Sequence, residues 1–324
     1  MNKLQTAICS VSAVLIVAGA SVFISANSST RAKEEKPLVQ TFTTVPEFSP
    51  SLEIAGEKID LTRYDMYERY DRELTSFTYT HNTTLLLIKR ANRFFPIIEP
   101  ILKEQGVPAD FIYLCAIEST LNTRAVSSVK AAGLWQFMEE TGKQFGLEVN
   151  GYVDERYNVE KATVAACKYL KQAYNKYGSW MAVAASYNAG QGRISRELEK
   201  QQVDDVFDLW LNEETNRYTF RMMAIKEIMK NPYKYGFVLK SDQLYKPIRT
   251  EDVTVKEPIA DLASWAKSRG ITYAQLKEFN PWLRDRSLPN KTGKEYVIKL
   301  PVKEDLYYKK NGKREVYDKK WVVD

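Results

Sequence analysis

The segment PADFIYLCAIES, residues 108–119, is predicted to form a helix. The helix begins at its proline and aspartate and has one polar position on an otherwise apolar face. The apolar stripe at helical spacing consists of Phe111, Leu114 and Cys115. The next position on that stripe is Glu118, so the periodicity assigns a carboxyl group to the buried side of the helix.

A carboxylate in an apolar environment has two outcomes that the sequence alone leaves open. Because an unpaired buried charge is costly, the group either binds a proton or finds hydrogen-bond donors. Desolvation raises the pKa of such a carboxyl, which suits a general acid that must hold a proton near neutral pH. The alternative is a structural glutamate paired with an arginine, such as Arg124 or Arg193.

The composition limits the chemistry that the chain can perform. Its 324 residues, 44% hydrophobic and 27% charged, are enough for about two globular domains and exclude collagen-like, wholly disordered and multi-span membrane proteins. A single histidine, His81, excludes His-rich zinc sites, and three cysteines cannot build a disulfide framework or a four-thiolate metal site. We expect no metal or organic cofactor. The net charge of +6 comes without a basic run or an aromatic nucleic-acid motif, so nucleic acid is not expected as a partner.

The N-terminal region is typical of an exported protein. A lysine precedes a long apolar run, so residues 1–26 are predicted to be a signal peptide or a signal anchor, and the polar residues 27–50 a flexible linker. Export to the periplasm of a bacterial envelope, with possible membrane anchorage, would place Cys115 and Cys167 in an oxidising compartment. They either pair as a disulfide or are two small buried side chains in helices.

Helical periodicity dominates residues 51–240, with no strong strand signal, and the fold class is predicted to be mainly α. A helix from His81 is expected to restart at Pro96, and further helices are expected near residues 161–177, 180–187 and 215–230. Residues 251–302 change to a small β-α-α-β pattern, followed by a polar, basic tail at 303–324.

Three ordered motifs connect Glu118 with a known family. Glu118-Ser119, then GLWQFM at 133–138 and SYNAG at 186–190, resemble the signature of the family 1 lytic transglycosylases, lysozyme-like enzymes that cut peptidoglycan. The resemblance is firm over residues 94–235, and the most similar subgroup is that of the membrane-bound lytic murein transglycosylases D. It implies a lysozyme-like helical domain, at 51–240, that acts on peptidoglycan glycan strands.

The resemblance also implies roles for individual residues. Glu118 would be the single catalytic acid and base. The residues that would position the substrate or the acid are Ser119, Gln136, Tyr187, Asn188 and, in the segment ETNRY at 214–218, Tyr218. Ser119 has an ordinary helical serine as its alternative interpretation, and the neighbouring Trp135 is better interpreted as a core residue.

The implied reaction cleaves the β-1,4 bond between N-acetylmuramic acid and N-acetylglucosamine without water, giving 1,6-anhydromuramyl ends. Two alternatives stay open: a goose-type lysozyme, which is a hydrolase on the same scaffold, and a catalytically silent peptidoglycan-binding scaffold. A hydrolase would need a second carboxylate, for which Asp154, Glu155 and Glu160 are candidates. Their basic neighbours favour salt-bridged loop positions instead.

The C-terminal unit resembles a glycan-binding module in its second half. Trp265 and the run ITYAQLKEFNPW at 271–282 are similar to a degenerate LysM module that lacks the usual entry motif. Binding of N-acetylglucosamine chains and a purely structural role are both open for this unit.

Overall fold

The structure, a computed structural model, describes residues 43–308 and 314–324. The predicted signal at 1–26 and most of the predicted linker lie outside these ranges. No helix within them is long and apolar enough to cross a membrane.

The larger part of the described chain is a short hairpin followed by a bundle of helices. Its elements are β1 (Ser51–Ile54), β2 (Glu57–Asp60), α1 (Tyr64–Tyr79), α2 (His81–Glu104), α3 (Phe111–Ser119), α4 (Glu139–Gln144), α5 (Val159–Tyr177), α6 (Trp180–Ala189), α7 (Gln191–Gln201) and α8 (Glu213–Lys230). The mainly helical class is therefore confirmed.

The hairpin is a feature that the periodicity did not indicate. Strands β1 and β2 pair antiparallel, with Ile54 opposite Glu57, and are joined by Ala55 and Gly56. Both linking residues have positive φ, 53° and 80°, as a tight two-residue hairpin turn requires. Four residues a strand are too few for an alternating pattern to stand out.

Helix α2 continues through both of its prolines, so the expected restart at Pro96 is wrong. Pro96 and Pro100 lie inside a single helix of 24 residues. A proline in this position removes one helical hydrogen bond. The helix nevertheless continues because Phe95, Ile98 and Leu102 bury one continuous stripe in the core.

Helices α3 and α8 lie at the centre of the bundle. Helix α8 packs against α1, α3 and α6, and α3 also packs against α2. The central helices have almost no exposed face, and Phe111, Phe220 and Ile225 are fully buried. Glu118 therefore belongs to a helix, α3, that packs against the core on several sides.

Cys115 and Cys167 are free thiols, which rules out the disulfide alternative. Both are fully buried in helices, and Cys115 Sγ lies 3.6 Å from the carbonyl oxygen of Leu134. Burial raises the pKa of each thiol, so they behave as small apolar side chains.

The C-terminal unit has the β-α-α-β order that the sequence indicated. It consists of β3 (Thr250–Val255), α9 (Leu262–Ser268), α10 (Tyr273–Phe279) and β4 (Tyr296–Pro301). Strands β3 and β4 pair antiparallel, with Thr250 opposite Pro301 and Val255 opposite Tyr296.

This unit is fastened to the helical part through the segment at 152–157. Val153 forms a bridge with Leu283, and the amide of Asp154 donates to the carbonyl of Trp282 at 2.8 Å. The side chain of Val153 belongs to the same apolar cluster as Leu283 and the C-terminal helices. The two parts therefore share one hydrophobic seam.

The described part of the predicted tail packs against the helical bundle. Trp321 is only 3% exposed, and its indole nitrogen donates to the carbonyl of Met229 at 2.7 Å. The amide of Tyr317 donates to Asn92 Oδ1 at 2.8 Å. The average composition of residues 303–324 is polar and basic and gave no indication that Tyr317 and Trp321 pack against the bundle. The description as a polar, basic tail is therefore incomplete.

Candidate active site

Glu118 lies near the end of α3 and is partly buried. Desolvation raises its pKa to about 7, and the charge of Glu214 contributes in the same direction. A hydrogen bond that the hydroxyl of Tyr218 donates to Glu118 Oε1, and the nearby charge of Arg221, act against this rise. The carboxyl is thus poised to hold and release a proton near neutral pH.

The alternative of an arginine partner does not apply in the structure. Within residues 43–308 and 314–324, no lysine or arginine forms an ion pair with Glu118. Arg124 instead lies 3.7 Å from Glu278 of the C-terminal unit. The only side-chain donor to Glu118 among the described residues is therefore the phenol of Tyr218.

Tyr218 is placed by helix α8 and is 3% exposed. One turn earlier, Thr215 Oγ1 donates to Asn188 Oδ1 at 2.9 Å. The amide nitrogen of Asn188 donates in turn to Glu214 Oε1 at 3.4 Å. These bonds fix the end of α6 against the start of α8, so Asn188 lies beside the segment that supports Glu118 without a hydrogen bond to Glu118 itself.

Tyr187 supports a loop of the site. Its hydroxyl donates to the carbonyl oxygen of Trp135 at 2.7 Å. Burial, and then the charge of Glu118, raises the pKa of Tyr187 well above its usual range, so the phenol stays protonated. Tyr187 is therefore close enough to Glu118 for their charges to interact, but its hydroxyl donates its proton to the backbone of the loop and not to Glu118.

The loop at 133–138 is held in a conformation with two left-handed residues. Gly133 has φ +78°, and a Cβ there would lie 1.9 Å from the carbonyl oxygen of Arg156. Gln136 has φ +50°, and its side-chain nitrogen donates to the carbonyl of Gly133 at 2.7 Å. Trp135 between them is fully buried and bonds Thr163 Oγ1 at 2.9 Å, which confirms it as a core residue.

Ser119 makes a local contact in the structure. It is buried, and its hydroxyl lies 3.4 Å from the carbonyl oxygen of Cys115, four residues earlier in the same helix. This geometry matches the ordinary helical serine that was the alternative interpretation.

The three candidate second carboxylates are all engaged in ion pairs. Asp154 Oδ2 accepts from Arg156 at 2.7 Å, Glu155 Oε1 lies 2.5 Å from Lys161 Nζ, and Glu160 lies 3.1 Å from Lys299. These contacts hold the segment that joins the two parts of the chain. They match the expectation of salt-bridged positions.

Sequence reasoning missed a polar cavity whose lining includes Glu214 and Arg221, two residues whose charges act on Glu118. A cavity of about 600 Å³ is lined by residues of α1, the start of α2 and α8, among them Glu73, Phe77, Thr80, Arg217 and Arg221. Glu73 is buried, and Arg217 Nε donates to its Oε1 at 2.7 Å. The segment ETNRY was one available signal, because Glu214 and Thr215 precede Tyr218 by four and three residues and so lie on its side of a helix.

No metal site accompanies these groups in the ranges that the structure covers. Among those residues, no three His, Cys, Asp or Glu side chains are arranged to hold a metal ion.

Comparison with known proteins gives two family matches. Residues 95–207 match the model of the transglycosylase SLT domain. Residues 251–304 match that of the soluble lytic transglycosylase C-terminal LysM-like domain. The first match contains Glu118, Gln136, Tyr187 and Asn188, and the second contains α9, α10, β4 and all of β3 except Thr250.

The chain is also similar to individual proteins. It is 28% identical over 236 residues to membrane-bound lytic murein transglycosylase D of Escherichia coli (strain K12), an alignment that covers 71% of this chain and 50% of that protein. It is 27% identical over 121 residues to a putative tributyltin chloride resistance protein of Alteromonas sp. (strain M-1), covering 37% of this chain and 58% of the relative. The chain thus spans about half the length of these relatives.

Two solved structures are partly similar. The 70 kDa soluble lytic transglycosylase SLT70 from Escherichia coli aligns with a TM-score of 0.37 and 22% identity over 52% of this chain and 29% of its own. An inactive mutant of lytic transglycosylase Slt from Pseudomonas aeruginosa aligns with a TM-score of 0.35 and 24% identity over 41% of this chain and 23% of its own.

The family matches confirm the resemblance that the three motifs carried. Residues 95–207 belong to the transglycosylase SLT domain family, and residues 251–304 belong to the LysM-like C-terminal domain family of the soluble lytic transglycosylases.

Proposed function

We propose that this chain is a lytic transglycosylase of peptidoglycan, with Glu118 as the only catalytic carboxyl. It cleaves the β-1,4 bond between N-acetylmuramic acid and N-acetylglucosamine and leaves a 1,6-anhydromuramyl end. The observation that carries the proposal is the environment of Glu118. The carboxyl has a pKa of about 7, accepts a hydrogen bond from Tyr218 and lies in the matched SLT domain.

In the first step Glu118 acts as an acid. The protonated carboxyl donates its proton to the oxygen that links the two sugars, and the bond from this oxygen to muramyl C1 breaks. The acetamido group of the substrate shields the cationic carbon, a substrate-assisted exception to the usual pair of carboxylates. A carboxyl whose pKa lies near neutral pH is largely protonated there and is still acidic enough to donate that proton.

In the second step Glu118 acts as a base. Its carboxylate takes the proton of the muramyl C6 hydroxyl, whose oxygen bonds to C1 and closes the anhydro ring. The hydrogen bond from Tyr218 stabilises the carboxylate between the two steps. The two steps together consume no water, and Glu118 is protonated again at the end of the cycle.

The remaining motif residues are proposed to shape the sugar cleft. Gln136 has its side chain fixed on the carbonyl of Gly133, which leaves its own carbonyl oxygen available to a sugar hydroxyl or amide. Asn188 is held by Thr215 and orients the acetamido group. Preorganised groups of this kind stabilise charge in the transition state without having to move.

A goose-type hydrolase is the second candidate, and one observation favours it. The charge of Glu214 acts on Glu118 and raises its pKa, so a second carboxylate does lie near the first. A hydrolase would use such a group to activate water. Among the residues that the structure describes, Glu214 accepts a hydrogen bond from Asn188 alone, whereas Asp154, Glu155 and Glu160 form ion pairs.

The LysM-like unit is proposed to hold glycan strands near the cleft, and the chain is proposed to work in the bacterial envelope. The matched LysM-like model supports glycan binding. The predicted export signal at 1–26 and the printed name of the relative, a membrane-bound murein transglycosylase, support the envelope location.

The test is product analysis with purified protein and peptidoglycan sacculi. Released fragments are weighed by mass spectrometry for the wild type, Glu118→Gln and Glu214→Gln. We expect ends that are one water lighter than reducing ends from the wild type and Glu214→Gln, and no release from Glu118→Gln. Reducing ends that disappear in Glu214→Gln would establish the hydrolase. Binding of sacculi without any release would favour the silent scaffold.

A further inference from the structure

The loop that carries Gln136 is built against the C-terminal unit. Ala132, which directly precedes this loop, is 1% exposed and belongs to the same apolar cluster as Leu283 of that unit. The amide of Ala132 donates to the carbonyl of Phe137 at 3.0 Å, so the two ends of the loop are bonded to each other. The apolar core of the C-terminal unit therefore extends to the base of the loop.

Arg156 joins this loop to the segment at 152–157. Its side chain is buried, and its Nε and Nη2 donate to the two carboxylate oxygens of Asp154 at 2.9 and 2.7 Å. The remaining nitrogen, Nη1, donates to the carbonyl oxygens of Lys130 and Phe137, each at 3.1 Å. One guanidinium thus holds the loop from both of its ends and ties it to Asp154.

The segment at 152–157 is in turn held by the C-terminal unit, and not only by the strand-like bridge described above. The amide of Arg284 donates to the carbonyl of Tyr152 at 2.8 Å. The guanidinium carbon of Arg284 lies 4.2 Å from the ring centroid of Tyr157. Both ends of the segment are therefore fixed by the C-terminal unit, and the backbone that bears Arg156 is fixed with them.

We infer that the C-terminal unit is a structural part of the catalytic site, and that Arg156 is the positioning residue through which it holds Gln136 in the sugar cleft. This inference rests on the proposed function, in which Gln136 contacts the substrate. It differs from the role of a glycan-binding module, because it requires no sugar on the C-terminal unit. Gln136 has φ +50°, and a residue keeps such a conformation only where its surroundings hold it.

The test uses full-length protein with two substitutions that loosen this connection at different points. Arg156→Lys keeps a positive charge beside Asp154, but lysine lacks the planar fork that reaches this carboxylate and both loop carbonyls together. Leu283→Ala removes a fully buried side chain from the C-terminal side of the connection. Urea unfolding shows that each variant is folded under the conditions of the measurements.

Each substitution has a matched control in the same chain. Arg249→Lys makes the same chemical change in another bidentate pair, with Asp305, at distances of 2.7 and 3.1 Å. Leu262→Ala removes the same volume from the same apolar cluster, at a residue whose amide donates to the carbonyl of Arg286.

The first measurement is hydrogen exchange at the amides of Ala132 and Gly133, which donate to the carbonyls of Phe137 and Ala125. In Arg156→Lys and Leu283→Ala these amides should exchange about 10-fold faster or more, because the loop opens locally without global unfolding. The two controls should leave this exchange unchanged. Unchanged exchange in Arg156→Lys or in Leu283→Ala overturns the inference, whether or not the protein cuts peptidoglycan.

The second measurement is kcat and KM on sacculi and on a glycan strand too short to reach both the cleft and the C-terminal unit. Arg156→Lys should lower kcat about 10-fold on both substrates, with KM little changed, because Gln136 is no longer held in place. In a Gln136→Ala background the same substitution should lower kcat no further, since both changes then remove one contact.

Two kinetic results contradict the inference. An equal loss of kcat from Arg156→Lys with and without Gln136 would show that the arginine does not act through this residue. A higher KM of Leu283→Ala on sacculi alone would show a unit that only binds glycan. If the wild type releases no fragments from either substrate, the proposed function fails, and hydrogen exchange alone decides whether the C-terminal unit holds the loop.

Discussion

The hydroxyl of Tyr218 donates a hydrogen bond to the carboxyl of Glu118, although 100 positions separate the two residues in the chain. Helix α3 carries the acid and helix α8 carries its donor, and the two helices pack against each other at the centre of the bundle. Since the bond favours the ionised carboxyl, it opposes the rise in pKa that burial causes. The proposed cycle needs both effects, because one carboxyl must first give a proton and then take one.

Tyr218→Phe should move the high-pH limb of activity upward. The proposed reaction begins with protonated Glu118, so the rate falls as the pH rises through the pKa of this group, about 7. Removing the phenol removes an effect that lowers this pKa, and the limb should move to higher pH while kcat falls about 10- to 100-fold. The pH–rate profile on sacculi measures both.

Tyr187→Phe is the matched control for that experiment. It also removes a phenol from the site, but this hydroxyl donates to the carbonyl of Trp135 and not to the acid. Its high-pH limb should stay in place. A limb that moves in Tyr187→Phe, or that moves downward in Tyr218→Phe, would contradict the assignment of the two phenols.

Glu118→Gln should stabilise the protein at alkaline pH. The pKa of this carboxyl is raised from 4.5 to about 7 on folding, so between these values the folded state binds more protons than the unfolded one. The free energy of unfolding therefore falls as the pH rises through this window. The amide removes that loss, about 2–3 kcal/mol at pH 8 and close to zero at pH 4.

Urea unfolding of the wild type and Glu118→Gln at both pH values tests this expectation. Glu140→Gln serves as the control, because the side chain of Glu140 is 87% exposed. Equal stabilisation at both pH values would mean that packing, and not titration of Glu118, causes the difference.

Thr215→Val should reduce catalysis more than stability. The substitution keeps the shape of a buried side chain but removes the hydroxyl that donates to Asn188 Oδ1 at 2.9 Å. We expect a loss of about 1 kcal/mol in the free energy of unfolding, and a roughly 10-fold lower kcat because Asn188 is no longer oriented.

Thr219→Val makes the same chemical change one turn further along α8, at another buried threonine. The kcat of this variant should stay near that of the wild type. Equal losses of kcat in the two variants would show that a buried hydroxyl on this helix matters for general reasons, not for Asn188.

Gly133→Ala should disrupt the loop that carries Gln136. A Cβ at this position would overlap the carbonyl oxygen of Arg156, and the residue has φ +78°. Since the segment of Arg156 is held by the C-terminal unit, the clash cannot relax easily. Thermal unfolding should show a destabilisation of about 2–4 kcal/mol.

Gly192→Ala, in helix α7, is the comparison for that variant. Its new Cβ would meet no heavy atom closer than 3.8 Å, and alanine suits a helix better than glycine. It should leave stability unchanged or raise it slightly. A mild effect of Gly133→Ala would mean that the loop adapts and that its conformation is not fixed by this contact.

Most of the helices could be predicted from periodicity, and so could the position of Glu118 on a buried face. The period of 3.6 residues is a local property that α2 and α5 carry, whereas α3, α6 and α8 are buried on nearly every side and show little of it. The helix break expected at Pro96 does not occur, because the burial of a continuous apolar stripe outweighs the loss of the hydrogen bond that the proline removes. The hairpin at Ser51–Asp60 was missed because its strands are too short to show alternation.

The partners of the site residues could not be predicted in the same way. The sequence connected Tyr187 and Asn188 with the acid only through family resemblance, whereas in the structure they bond Trp135 and Thr215. Such pairings depend on how helices pack, and no local pattern encodes them. No sequence pattern indicated Arg221 either, because its effect on Glu118 arises only from the packing of the helices.

The proposal that the muramyl C6 hydroxyl, and not water, attacks C1 is tested most directly by digestion in water enriched in heavy oxygen. The wild-type protein is incubated with sacculi, and the new ends are weighed by mass spectrometry. We expect ends one water lighter than reducing ends, without heavy oxygen, and none with Glu118→Gln. Reducing ends that carry heavy oxygen at C1 would contradict the single-carboxyl mechanism and establish hydrolysis.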